Sequence, residues 1–359
     1  MNGGCFLGMG AFRYPMALLG FQARAVAVFR FFSPVLAVIF LASVLAFFAT
    51  LSQTQVEAAV FTPDEDSGAV GNAGAGLGNT LLFILPAVLG SFGIVYIIRK
   101  GKRRLLKYIF RGALTLTTGI ILAFFMFKLM EFMSERAWYT LYSPEFHTTI
   151  YTIPFSEYDM LGFMLGGILA GYAVTSMVFS MGFRRTDRNG ALIMISSLMG
   201  AFMAVILPTW TVVFLLLALA VWDIYAVFHG PIKDMVEMEM SGNMMARWDP
   251  LGDDSDQFPF ENMTYDAGSW QLGIGDLVFY SMLGAHSLFY STTYIADKGW
   301  WMLPFFFVPV VMAILIGFAY TIYRLTKGSG TSILPGLPIP MFLGVLVFGM
   351  MMAIARWAL

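Results

Sequence analysis

Nine runs of about twenty apolar residues, separated by polar or charged connections, constrain this chain more than any other feature. A run of that length rises roughly 30 Å as a helix, which matches the hydrocarbon core of a bilayer. The runs lie near 32–52, 77–98, 110–133, 158–183, 190–207, 209–229, 271–294, 302–325 and 336–357, the fifth and sixth joined by little more than Pro208. A 359-residue chain that is 58% hydrophobic and 12% charged cannot solvate its surface as a soluble globule, so lipid is its main solvent. The fold expected is an all-α, polytopic membrane protein of nine transmembrane helices, divided into a five-span scaffold over 1–207 and a four-span catalytic region over 208–359.

The basic residues set the orientation, because Lys and Arg near span ends stay on the cytoplasmic side. Arg13, Arg24 and Arg30 precede the first span, Arg99, Lys100, Lys102, Arg103, Arg104 and Lys107 surround the second connection, and Arg184, Arg185 and Arg188 lie in the fourth. The first connection carries Glu57, Asp64, Glu65 and Asp66 without a basic residue, the third only Arg136 and the seventh only Lys298. This alternation predicts a cytoplasmic N-terminus, an extracytoplasmic C-terminus and a cytoplasmic loop over 230–270. The N-terminal segment is read as retained, since the span after it is full length and lacks a small-x-small cleavage site within reach. The 53–76 segment, rich in Gly, Ala and acid, reads as a flexible outer loop. The sequon Asn262-Met263-Thr264 falls in the predicted cytoplasmic loop and is discounted.

The net charge of −1 says nothing about nucleic acid or acidic ligands, since in a membrane protein the placement of charge is what matters. No nucleic acid partner is expected, and the single cysteine, Cys5, excludes an internal disulfide and a cysteine-built metal site. Ionisable residues inside the spans are few, and each is a functional candidate because charge in hydrocarbon is costly. Lys128 and Glu131, three apart in the third span, read as a mutually satisfied pair. His286, midway along the seventh, reads as a neutral ring hydrogen-bonded within the bundle in preference to a proton carrier.

Asp223 and Asp276 differ from these. Asp223 lies in LALAVWDIYAVFHGP, about eight residues before Pro231, and Asp276 in QLGIGDLVFYSML, about six after Trp270. At the helical rise these positions are roughly 12 Å and 9 Å inside their spans, from the same face of the membrane. Two carboxylates in contact in a poorly solvated place cannot both ionise, so such a pair shares one proton. The ionised member can then activate a water while the other protonates a peptide carbonyl. Gly273 and Gly275 leave room beside Asp276 for a close backbone. No metal is implied, since these carboxylates have no His or Cys companions at ligand spacing.

At these strings the chain resembles the GxGD intramembrane aspartyl proteases, the presenilin and signal peptide peptidase family. LGIGDLVFYSML looks like the family's GxGD segment, and WDIYAVFHGPI followed by KDMVE is similar to the segment around the first catalytic aspartate, with Trp222 where tyrosine is usual. LPGLPIP resembles the PALP motif, with Gly336 in place of alanine. The resemblance covers the chain from the sixth span onward, and the cytoplasmic N-terminus favours the presenilin-like branch. It implies a homologue of microbial type, a multi-pass protein of the cell membrane that cleaves peptide bonds in or near transmembrane segments of protein substrates, without a cofactor. It further implies that Asp223 and Asp276 are catalytic, and that Trp222, Gly273, Gly275, Pro335, Gly336, Leu337 and Pro338 shape the site and engage substrate. Accessory subunits or a homo-oligomer are compatible with the sequence and not indicated by it. Two other readings use the same aspartates: a proton- or cation-coupled transporter, and a prepilin-peptidase-like GxGD protease, which has fewer spans and no proline motif.

Overall fold

A computed structural model of the chain describes residues 21–50, 61, 68–100, 102–141, 157–180, 182–230, 263–266, 271–294, 303–327 and 336–358. Among them are nine α-helices: α1 (Phe21–Thr50), α2 (Gly68–Arg99), α3 (Arg103–Leu141), α4 (Glu157–Phe179), α5 (Arg185–Ile206), α6 (Thr209–Phe228), α7 (Ile274–Tyr294), α8 (Leu303–Lys327) and α9 (Pro338–Ala358). A short antiparallel ribbon, β1 (Thr264–Asp266) with β2 (Gln271–Gly273), precedes α7. Its register pairs Thr264 with Gly273, Tyr265 with Leu272 and Asp266 with Gln271.

Eight of the helices are long and apolar enough to cross a membrane, and α7 alone of the nine falls short of that standard. Its place in the bundle accounts for this. It is packed on α1, α5, α6, α8 and α9, and Ser281, His286, Ser287 and Ser291 on it are buried. A helix solvated by other helices need not be uniformly apolar, provided its polar groups are satisfied. The serines meet that condition by donating to carbonyls of their own helix: Ser281 to Val278 at 2.8 Å, Ser287 to Gly284 at 2.7 Å and Ser291 to Leu288 at 2.8 Å. Neighbours come close where side chains are small. Gly284 admits Ile39 of α1, Gly200 of α5 faces Ser281, and Gly344 of α9 faces Leu283. The largest apolar core joins Val35 and Ile39 of α1 to Leu216 of α6, Leu283 of α7, Ile314 of α8 and Met341 of α9. It therefore draws on both sides of residue 207.

Several boundaries differ from the sequence reading, the first helix beginning at Phe21 among them. Residues 271–273 are strand, so the seventh helix begins at Ile274. The segment from Gly68 to Gly76, read as part of a flexible loop, is the first part of α2. Tertiary contacts hold it despite its glycines: Gly76 abuts Trp210 of α6, and Asn79 exchanges hydrogen bonds with the backbone of Phe61. The third helix also extends well past its apolar run at both ends.

The joint between α5 and α6 explains His286. Pro208 has no N–H, so the carbonyl of Ala204, four residues earlier, lacks its helical donor. His286 Nδ1 fills the gap at 2.7 Å, and its Nε2 lies 3.2 Å from the Thr209 hydroxyl. A carbonyl only accepts, so Nδ1 carries the hydrogen; in a neutral ring Nε2 is then the acceptor for the Thr209 hydroxyl. His286 thus serves the bundle, as the sequence reading preferred. Lys128 is buried in α3, and the side chain of Glu131 lies outside the described residues.

Candidate active site

Three segments converge at one end of the bundle: the last turns of α6, the first turn of α7, and the two residues that lead into α9. Asp223 lies five residues before the end of α6. Asp276 lies in the first turn of α7, where the unpaired N–H groups of a helix start favour a carboxylate. Both are nearer the helix ends than the sequence placed them: Asp276 because β2 takes residues that were counted into the seventh span, and Asp223 because α6 ends at Phe228, short of Pro231. The side chains of both residues are half-buried.

What brings them together is the peptide unit between Gly336 and Leu337. The Leu337 N–H donates to Asp223 Oδ2 at 3.2 Å. Asp276 presses on the other side of the same segment: a Cβ on Gly336 would stand 2.8 Å from Asp276 Oδ2. The two carboxyl groups are close enough to interact electrostatically, and the Gly273 backbone hydrogen-bonds Asp276. The segment itself is anchored by Leu337, which is buried in the main core, and by the start of α9 at Pro338. Proline suits that first helical position, since its missing N–H would find no partner in the helix.

A further side chain belongs to this cluster. Tyr280 is buried, donates from its hydroxyl to the Gly336 carbonyl at 2.9 Å, and packs edge-on against Phe318 of α8 with ring centroids 6.0 Å apart. The motif strings did not single it out. Two signals in the sequence could have found it: it stands four residues after Asp276, on the same face of the helix, and a tyrosine within a bundle needs a partner for its hydroxyl.

The remaining candidates fall at different distances from the carboxylates. Gly273 ends β2, where a Cβ would meet only Asp276 Oδ2, at 3.6 Å. At Gly275 the nearest atom to a built Cβ is Phe279 Cε2, at 4.0 Å. Among the described residues, no other helix takes up the room beside either glycine. Trp222 turns toward α2, its ring 6.1 Å from that of Phe92 and 5.4 Å from that of Tyr225. Pro335 lies outside the described residues. No group of three or more His, Cys, Asp or Glu able to hold a metal ion occurs among the described residues.

Two interacting carboxyls can divide their roles, one acting as a base toward a water and the other as an acid toward a carbonyl. The family model described as Presenilin matches residues 22–245, a stretch that includes Asp223 and stops before Asp276. Presenilin-B of Dictyostelium discoideum is 29% identical over 164 residues, which is 45% of this chain and 29% of that protein, so the match spans under a third of the relative's length. Two structures of a presenilin family intramembrane aspartate protease, in space groups C222 and P2, align over 88% of this chain. They cover 96% and 95% of the solved chains, at 18% and 19% identity and TM-scores of 0.46 and 0.47.

Proposed function

This chain belongs to the presenilin family, and from that premise we propose that it is an intramembrane aspartyl endopeptidase in which Asp223 and Asp276 are the catalytic pair. The observation that carries the reading is the convergence of the two carboxylates, from two different helices, on the single Gly336–Leu337 peptide unit. In the mechanism the pair shares one proton. The ionised aspartate takes a proton from a water, which attacks the scissile carbonyl; the protonated aspartate donates to the carbonyl oxygen and then assists departure of the amine. No metal or cofactor enters these steps.

Substrates on this reading are transmembrane segments of other membrane proteins, partly unwound so that a peptide bond is exposed to the water. The room beside Gly273 and Gly275 is suited to an extended backbone, and the β1–β2 ribbon next to it has an edge on which a further strand can add. The basic residues favour a cytoplasmic N-terminus, which puts the pair toward the cytoplasmic side of the membrane. The test is cleavage of a single-span peptide by the purified protein in lipid. Products are expected from the parent and none from Asp223→Ala or Asp276→Ala. Equal cleavage by both alanine variants would end the proposal.

A further inference from the structure

We propose that Tyr280 is a positioning residue for the aspartate pair, acting on Asp223 through the Gly336–Leu337 peptide unit. The inference rests on the proteolytic reading above and deepens it. The carbonyl of Gly336 and the N–H of Leu337 are the two poles of one planar group. Tyr280 holds one pole by donating to the carbonyl at 2.9 Å, and Asp223 Oδ2 accepts from the other at 3.2 Å. A hydroxyl drawn onto the carbonyl polarises the amide, so its N–H becomes a stronger donor to the carboxylate.

The geometry makes this a three-part clamp. Asp276 and Tyr280 leave α7 one turn apart on the same face, and both meet the segment before α9: Asp276 against the Gly336 Cα side, Tyr280 at its carbonyl. Asp223 meets it from α6. Glycine at 336 gives the segment more rotational freedom than any other residue would, so something outside it must fix the peptide plane. The Tyr280 ring is suited to that role. It is fully buried and wedged on Phe318, whose ring in turn meets Phe32 of α1, so the hydroxyl is held by rigid packing. Remove the hydroxyl and the peptide can turn, which takes the aligned donor from Asp223 while leaving every apolar contact of the ring in place.

The experiment compares tyrosine, 4-aminophenylalanine and phenylalanine at 280, each with leucine or its α-hydroxy-acid analogue at 337, the latter replacing the N–H by an ester oxygen. In the amide protein Tyr280→Phe is expected to lower kcat about tenfold with KM and thermal midpoint close to parent. 4-Aminophenylalanine, a weaker donor, is expected to fall between. In the ester protein, where the N–H is already gone, Tyr280→Phe is expected to change kcat by less than about twofold. A parental kcat in Tyr280→Phe overturns the proposal, as do losses from the two changes that multiply when combined. Should the phenylalanine variant fail to fold, 4-aminophenylalanine decides alone: a threefold or so loss in the amide protein that vanishes in the ester protein supports the clamp, and parental kcat overturns it. These failures are separable from failure of the proteolytic reading. With both aspartate-to-alanine variants inactive and Tyr280→Phe fully active, only the clamp falls; cleavage by the aspartate variants removes both.

Discussion

Gly336→Ala asks how much room the aspartate pair has. The added methyl would stand 2.8 Å from Asp276 Oδ2, 3.3 Å from its Cγ and 3.5 Å from Oδ1, where ordinary contact begins near 3.4 Å, so Oδ2 has to recede by roughly 0.6 Å. Gly336 does not hold a left-handed φ, so the substitution brings the clash without backbone strain. The carboxyl is also held by the Gly273 backbone, and turning it about 30° off its rotamer costs on the order of 0.5–1.5 kcal/mol. If the segment yields instead, the 3.2 Å bond from Leu337 to Asp223 lengthens. Either way one carboxylate oxygen of the pair is displaced by a good part of an ångström. A full ångström costs about a hundredfold, so a loss in kcat of about tenfold is expected, with KM little changed. The assay is cleavage of a single-span peptide in lipid, read against thermal midpoint, with Gly336→Val as a larger probe that should lose more. Alanine is the residue usual in the motif that LPGLPIP resembles, so the substitution restores the common residue and is expected to lower activity all the same. A parental kcat in Gly336→Ala would refute the argument that this contact sets the position of Asp276.

The other predictions reach further from the pair. His286→Ala leaves the Ala204 carbonyl without a donor inside the bundle and opens a cavity, and is expected to lower stability by about 2–4 kcal/mol, seen as a drop in thermal midpoint; an unchanged midpoint would contradict the role given to the ring. At Gly317 an alanine Cβ would lie 2.5 Å from Pro340 Cα, an atom that cannot yield without moving α9. Gly317→Ala is therefore expected to cost about 1–3 kcal/mol in stability and to reduce cleavage by shifting the Gly336–Leu337 segment, three residues before Pro340; full activity would show that α9 and the site are uncoupled. Cleavage is expected to be bell-shaped with pH, because the doubly protonated pair has no base and the doubly ionised pair no acid. A flat profile from mildly acidic to neutral pH would argue against a shared proton.

Much of the frame was legible because hydropathy is written locally. All nine helices lie on the nine apolar runs, and the errors fall at the ends, where helices continue beyond the apolar stretch, as in α2 and α3, or stop short of it, as in α7. Pro208 was visible as a break; that a histidine some eighty residues away repairs it was not. The motif strings drew attention to the chain from the sixth span onward, while the family signal extends through residues 22–245, spread over many positions that no short string reveals. Tyr280 was passed over for a different reason: in an apolar run a tyrosine reads as core, and its spacing from Asp276 and its need for a hydroxyl partner do not say which group that partner is. Trp222, next to Asp223 in sequence, was read as bordering the site, yet its ring meets Phe92, because adjacent residues on a helix point about 100° apart.

By itself the sequence determined that this is a chain for lipid, where its nine long helices fall, and that Asp223 and Asp276 are acids with no apolar reason to be where they are, since each follows from the cost of moving a residue type out of water. Only the tertiary structure decided that α7, the one helix of the nine that is not apolar enough to be read as a span, is packed against five others, and that one peptide unit, more than a hundred residues from Asp223, is held between the two carboxylates and a tyrosine. Hydropathy acts residue by residue and survives in the string. The meeting of Asp223, Asp276, Tyr280 and the Gly336–Leu337 peptide depends on how the helices pack, and the small residues that set that packing, Gly284, Gly317 and Gly344, become legible only when their neighbours are in place.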